Sequence, residues 1–241
     1  MSFCRTAVRF SRSILSGLFF VNFGFFGLTA TFLILPFCFS KTVIRVLVRY
    51  YFKFFVLLAK ITGLFTVKLH GNLDNIKGEI VVMNHLSLID IVILLALLPD
   101  SICIIKGDLR HNFFMKAIVT KIFLLNDEDP LNTIENAKMY LAKRVNLVIF
   151  PEGTRLKVGD KNRKVHRGAA RLAIASKAKI RPLFMTLDPL ILAKNQPWWD
   201  VGDKIIRFDI FVKSAIQPNG ENTRENAIKW TELIDREIRS A

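Results

Sequence analysis

His85 and Asp90 stand five residues apart in the stretch Asn84-His85-Leu86-Ser87-Leu88-Ile89-Asp90. A histidine with a carboxylate at hand can work as a general base, the acid orienting the ring and stabilising its charged form. On an ideal helix, positions i and i+5 lie about 140° apart and cannot touch. The pair therefore meets only if His85 precedes a helix whose first turn holds Asp90. Ser87-Leu88-Ile89-Asp90 fits the capping pattern S-x-x-D/E, which predicts an N-cap at Ser87 with His85 just outside. The same pattern leaves a plainer alternative, in which Asp90 is a capping acid and His85 a loop residue.

The second loaded stretch is Phe150-Pro151-Glu152-Gly153-Thr154-Arg155, which puts an acid, a flexible glycine and a guanidinium within four residues. Arg155 opens a basic loop with Lys157, Lys161, Arg163, Lys164 and Arg167. An arginine fork binds phosphate through two parallel hydrogen bonds. The alternative is a solvated turn with an exposed Glu–Arg pair, which stabilises little.

Both stretches follow apolar runs that read as strands. Short β-branched runs alternate with helical ones after Phe65, with strands expected at Thr66–His70, Ile80–Met83, Ile102–Lys106, Ile122–Leu125, Asn146–Phe150, Arg181–Thr186 and Ile205–Val212. Helices are expected at Ser87–Leu98, Asn112–Val119, Asn132–Ala142, Arg167–Ala175 and Asn222–Arg239. Several strands are continuous apolar runs, as strands covered on both faces tend to be. The alternation predicts an α/β fold with a mostly parallel, helix-covered sheet. In such sheets functional residues gather at strand ends, where His85 and Glu152 fall.

The elements before this domain have a different character. Among 241 residues, 35 Lys and Arg face 20 Asp and Glu, for a formal charge of +15. No acid precedes Asp74, while nine bases do, in an otherwise apolar stretch. A nucleic-acid arm would be polar and rich in Gly and Ser, so this segment reads as membrane. Ser13 to Leu35 holds no ionisable side chain, and as a helix would reach about 35 Å, enough for a hydrocarbon core of about 30 Å. A cleaved signal peptide is the alternative, opposed by the length of the run and the lack of a small-x-small site. Thr42 to Phe65 follows with Arg45, Arg49, Lys53 and Lys60 within an arc of about 80° on a helix. That predicts an interfacial helix whose basic side chains reach lipid phosphates. A single span and a hairpin entering one leaflet both fit, and the expected organisation is residues 1–66 as membrane-anchoring helices and 67–241 as the catalytic domain.

Other residue types carry less. His70, His111 and His166 lack metal-ligand spacing, so no metal is expected. Three cysteines, Cys4, Cys38 and Cys103, are too few and too scattered for a disulfide scaffold. With 51% hydrophobic residues and a mean hydropathy of +0.34, disorder is excluded. Trp198-Trp199 is a candidate interfacial anchor.

In order and spacing, Asn84-His85-(four residues)-Asp90 and Phe150-Pro151-Glu152-Gly153-Thr154-Arg155 resemble the first and third blocks of the lysophospholipid acyltransferase family, which includes the 1-acylglycerol-3-phosphate acyltransferases. The resemblance runs from about Thr66 to Thr186. It implies acyl transfer from a CoA or acyl-carrier-protein thioester to a lysolipid hydroxyl, with His85 as base, Asp90 as its partner and no acyl-enzyme. Glu152, Gly153, Thr154 and Arg155 would bind substrate, Arg155 through the acceptor phosphate, together with Lys106. The second block departs from the family pattern. Lys106-Gly107-Asp108-Leu109 has Asp for the usual Glu, and Phe123-Leu124-Leu125-Asn126 has Asn126 where an Arg is usual. Asn126 lacks a guanidinium's charge and donors, which puts the acceptor head group in question. A different lysolipid or glycolipid acceptor, or lipid transacylation without a thioester, are the alternatives. The fourth block appears as Arg181-Pro182-Leu183 and would help shape an acyl channel. The resemblance further implies no cofactor, membrane lipids, a lysophospholipid and an acyl thioester as partners, and a bacterial inner membrane. The charge distribution argues against nucleic acid, and the six bases after the apolar run against three before it favour the catalytic domain on the cytoplasmic face.

Overall fold

The run Ile80-Val81-Val82-Met83 is buried at all four positions, and its alternate side chains enter two different cores. Val81 and Met83 join one cluster, Ile80 and Val82 the other, as the two-residue period of a strand requires. This strand lies at the centre of a seven-stranded sheet. The computed structural model describes residues 2–34, 37–38, 40–107, 111, 119, 123–126, 129–159, 163–197 and 201–239.

The chain begins with two helices, α1 (Ser2–Leu33) and α2 (Lys41–Ile61). Then come β1 (Phe65–His70), β2 (Ile80–Met83), α3 (Asp90–Leu97), β3 (Ser101–Lys106) and β4 (Leu124–Asn126). The second half comprises α4 (Pro130–Ala142), β5 (Asn146–Ile149), α5 (Gly168–Ser176), β6 (Ile180–Asp188), β7 (Ile206–Val212) and α6 (Arg224–Glu237). The strand order is β1-β7-β6-β2-β5-β3-β4. All neighbours are parallel except β6 and β7, so β1 and β7 run against the other five. The mostly parallel, helix-covered sheet expected from the sequence is the sheet observed. The reversal at β6–β7 carries no hydropathy signal and was not foreseen. β4 is Leu124–Asn126 where a strand over Ile122–Leu125 was expected, and most of the helix expected at Asn112–Val119 lies outside the described residues, as do Asp108, Leu109 and Trp198-Trp199.

One layer is built by α4, α5 and α6, which place Ala137, Ala173 and Ile234 against Ile80, Val82 and Leu147. α5 meets the sheet through the buried alanines Ala169, Ala170 and Ala173. On the other face Ile93 and Leu94 of α3 and Phe55 and Ala59 of α2 meet Val81, Met83 and Val148. Burial of each large apolar side chain contributes about 1.5–3 kcal/mol.

The N-terminal helices share this second core. Phe19, Phe20 and Phe23 of α1 cluster around Phe55, with ring centroids 4.8, 6.1 and 4.1 Å away. Arg12 reaches from α1 to the carbonyls of Gly63 and Leu64, at 3.2 and 3.1 Å, just where α2 ends. Gly63, at φ +66, provides the left-handed turn into β1.

Of the four bases in the α2 stripe, expected from the sequence to face lipid, Lys53 and Lys60 are exposed while Arg45 and Arg49 are tied to protein. Arg45 pairs with Asp100 at 2.6 Å, and Arg49 donates to the carbonyls of Ala96 and Leu97 at the end of α3. A guanidinium at a helix C-terminus satisfies carbonyls that lack helical partners and complements the helix dipole. A stretch of sequence cannot show that a second helix ends beside its basic stripe.

What α2 exposes instead is a second apolar face: Val43, Val46, Leu47, Tyr50, Phe54 and Leu57 are 43–64% exposed. Along α1, Phe10, Leu18, Val21 and Phe25 are 58–67% exposed. Within α1, Thr6–Ala30 has a mean hydropathy of 1.6, with 6% of its apolar window buried, and is long enough to cross a bilayer.

Candidate active site

The site forms where β2 and β5 end side by side. At the end of β2, Asn84 turns its amide onto the main chain of the neighbouring β6. It donates to the Met185 carbonyl at 2.9 Å and accepts from the Met185 N–H at 2.8 Å. This bidentate contact, 2% exposed, fixes the exit of the chain from the sheet.

His85 follows, and its ring Nδ1 lies 2.9 Å from Asp90 Oδ2. A carboxylate only accepts, so Nδ1 carries the hydrogen, and in the neutral ring Nε2 presents the lone pair. The ring stacks on Phe150 from the end of β5, centroids 4.2 Å apart, and 17% of its side chain stays exposed. Nε2 has no hydrogen-bond partner among the described residues.

Asp90 is fully buried as the first residue of α3. Its Oδ2 also accepts the N–H groups of Leu86 and Ser87, at 2.6 and 2.7 Å. Only half of the expected capping box forms. Ile89 occupies the N-cap position without a side-chain bond, and the Ser87 hydroxyl is buried with no partner among the described residues. Asp90 reaches back to the amides before the helix, the acid's half of a capping box without the serine's, and curls the loop until His85 reaches it. The geometry required of a working pair, His85 outside the helix and Asp90 in its first turn, is present. Burial pushes the Asp90 carboxyl above the ordinary carboxylate value, against the pull of His85 and the two amides. A carboxylate of raised proton affinity is a stronger acceptor for the imidazole N–H, and it compensates positive charge on the ring.

The turn after β5 supplies the neighbours. Gly153 adopts φ +66, with its N–H on the Phe150 carbonyl at 3.0 Å, so that the chain reverses directly after Glu152. Glu152, expected among the substrate-binding residues, is instead 4% exposed and bound to protein. Its Oε2 accepts the His85 N–H at 3.0 Å and Arg163 Nη1 at 2.7 Å. Burial raises the Glu152 carboxyl while Arg163, His85 and Arg239 hold it down.

Thr154 is exposed on the turn and Arg155 half-buried beyond it. One donor of Arg155, Nη1, is taken by the Leu192 carbonyl at 3.0 Å. The Leu192 carbonyl also accepts the Leu88 N–H, so the segment after β6 laces both loops together. Lys106 ends β3 at the same edge of the sheet, exposed, with Asn126 of β4 as its cross-strand neighbour.

The structure thus brings His85, Asp90, Glu152 and Gly153 into one bonded cluster, with Thr154 and Arg155 continuing it and Lys106 along the edge. Asn84's grip on β6, the Phe150 stacking and the Arg163 contact were missed. All three residues stand in the stretches singled out above, which gave their types and not their contacts. His70 is elsewhere, bound to Asp209 at 2.7 Å, and no cluster of metal-ligating side chains occurs among the described residues.

The acyltransferase family model matches residues 65–186. A 1-acyl-sn-glycerol-3-phosphate acyltransferase of Helicobacter pylori (strain J99) is 36% identical over 121 residues, 48% of this chain and 51% of that protein. One of Cocos nucifera is 29% identical over 149 residues, 56% of this chain and 48% of that protein. The matched stretch spans about half the length of each of these relatives. The crystal structure of the 1-acyl-sn-glycerophosphate (LPA) acyltransferase PlsC from Thermotoga maritima superposes with a TM-score of 0.67 at 22% identity, over 93% of this chain and 95% of that one. That likeness establishes the fold.

Proposed function

We propose that this chain, which belongs to the acyltransferase family, is a membrane-bound O-acyltransferase. It moves a fatty acyl group from an acyl-CoA or acyl-carrier-protein thioester to the free hydroxyl of 1-acylglycerol-3-phosphate, giving phosphatidate for phospholipid synthesis. The observation that carries this reading is the imidazole of His85, held through Nδ1 by a buried carboxylate, with Nε2 unpartnered among the described residues just past a strand end.

Nε2 removes the proton from the acceptor hydroxyl as its oxygen attacks the thioester carbonyl. The carbon–oxygen bond forms and the carbon–sulfur bond breaks, and the departing thiolate takes the proton back from Nε2. Asp90 stabilises the imidazolium between these steps. No protein nucleophile enters. Lys106 and Arg155 bind the acceptor phosphate, and Thr154 and Gly153 line its approach. No metal or cofactor takes part.

The apolar faces of α1 and α2 support residence in a membrane, with the domain of residues 67–241 against its surface. We place it on the cytoplasmic face of a bacterial inner membrane, where more basic residues follow the apolar run than precede it. A hydrophobic anchor at this position brings the site to acceptors that never leave the bilayer.

Arg155→Ala is expected to raise the acceptor KM about tenfold and the donor KM less than threefold, because it removes a phosphate contact. Steady-state kinetics with each substrate varied in turn checks this; equal effects on both would refute the role. Asn126 beside Lys106 leaves two cations for the head group, which favours a second reading, an acceptor without a phosphate monoester. A panel of lysophosphatidate, neutral and glycosylated lysolipids with labelled acyl-CoA separates the two. Preference for lysophosphatidate supports the first, and transfer to a neutral or glycosylated lysolipid alone the second.

A further inference from the structure

His85 has both of its main-chain polar groups tied down by the loop that follows β5. Its N–H donates to Glu152 Oε2, and its carbonyl accepts the Leu156 N–H at 2.8 Å and Arg163 Nη1 at 3.4 Å. The same Nη1 lies 2.7 Å from Glu152 Oε2. A single guanidinium nitrogen therefore touches the buried carboxylate and the backbone of the base. Both side chains are withdrawn from solvent, Glu152 at 2% and Arg163 at 19% exposure.

Arg163 is itself anchored, its carbonyl accepting Arg239 Nη2 at 2.5 Å from the segment after α6. The C-terminal end of the chain thereby holds down the loop that holds down His85. This arrangement differs from that of a phosphate ligand, because the Arg163 charge is already matched by Glu152.

We infer that Arg163 is a positioning residue, acting through Glu152 and the His85 main chain to keep the imidazole on Asp90. The inference rests on His85 being the base of the proposed reaction. A buried ion pair that loses one partner leaves an uncompensated charge, which the remaining group relieves by changing protonation. Glu152 faces Arg163, the His85 main chain and ring, and Arg239, with Asp90 beyond the ring and His166 packed against Gly153. Without Arg163, Glu152 takes up a proton at higher pH and its oxygen holds the His85 N–H more weakly.

The test uses the purified full chain in lysophosphatidate micelles with acyl-CoA, across pH. Arg163→Ala is expected to lower kcat about a hundredfold, leave both KM values within threefold, and move the acid limb of kcat upward by about one pH unit. Arg163→Lys keeps the charge and not the fork, so kcat falls about tenfold with the limb unmoved. The neutral pair Glu152→Gln with Arg163→Gln loses the limb shift as well, since no carboxylate remains at position 152 to titrate. The His85 Nδ1 proton, followed by NMR, is expected to shift in Arg163→Ala and to stay in place in Arg163→Lys.

Wild-type kcat in Arg163→Ala, or a loss confined to the acceptor KM, would overturn the inference. If Arg163→Ala does not fold, an unchanged kcat and Nδ1 signal in both other variants would overturn it equally. A wild-type chain that transfers no acyl group speaks against the proposed reaction instead, and the Nδ1 signal still decides the positioning role.

Discussion

Replacing His85 with Ala is expected to lower acyl transfer by about 10³-fold or more while leaving the melting temperature within a few degrees of the wild type. The side chain contributes little to the core, since it is part-exposed and stacks on Phe150 at the surface of the sheet. The main chain at position 85 keeps its bonds to Glu152, Leu156 and Arg163, because none of them uses the imidazole. Rate and stability separate in this variant. Circular dichroism melting alongside thioester turnover checks it, and turnover near the wild-type rate would end the assignment.

Asp90→Asn is expected to cost nearly as much activity, about 10²–10³-fold, and to melt at or above the wild type at pH 8. Asparagine has no charge with which to stabilise an imidazolium. The stability effect has the opposite sign, and the direction of the carboxyl's shift explains it. Burial raises Asp90, so the folded chain holds that proton more tightly than the unfolded chain does. Its contribution to stability is complete below the ordinary carboxylate range and is lost as pH rises from that range through the raised value. At neutral pH the ionised group is a cost that asparagine does not carry. The melting-temperature gap between variant and wild type should therefore widen from pH 4 upward and then level off. A gap that narrows with rising pH would contradict the burial argument.

How much of this was legible in the sequence depended on the kind of signal. Ile80–Met83 was read correctly as a strand and Asn146–Phe150 to within one residue of the observed Asn146–Ile149, because a continuous apolar run between turns has few other homes. The direction of β7 was not, since reversing a strand changes nothing in its composition. The spacing of His85 and Asp90 gave only a condition, that a helix must start between the two if they are to meet, and left a capping acid beside a loop histidine as the alternative. The resemblance of the two motifs favoured the contact. The position of the cap was not legible, because the pattern put it at Ser87, whereas the helix starts at Asp90 after Ile89 and the Ser87 hydroxyl makes no capping bond. Glu152 shows the limit of a motif, which gives a residue type and no orientation. Arg163 was one of several bases in a loop, and only folding distinguished it from Lys157 and Lys164. Likewise the Arg45 and Arg49 stripe was visible, and the helix end it grips was not.

The central claim is that His85 moves a proton from a lipid alcohol directly to the departing sulfur. It is tested most directly by measuring free thiol and acylated product together, with labelled acyl-CoA, in the presence and absence of lysophosphatidate. The account expects thiol release only when the lysolipid is supplied, in one-to-one proportion to the ester formed, and neither in His85→Ala. A burst of thiol without acceptor, with label retained on the protein, would contradict it.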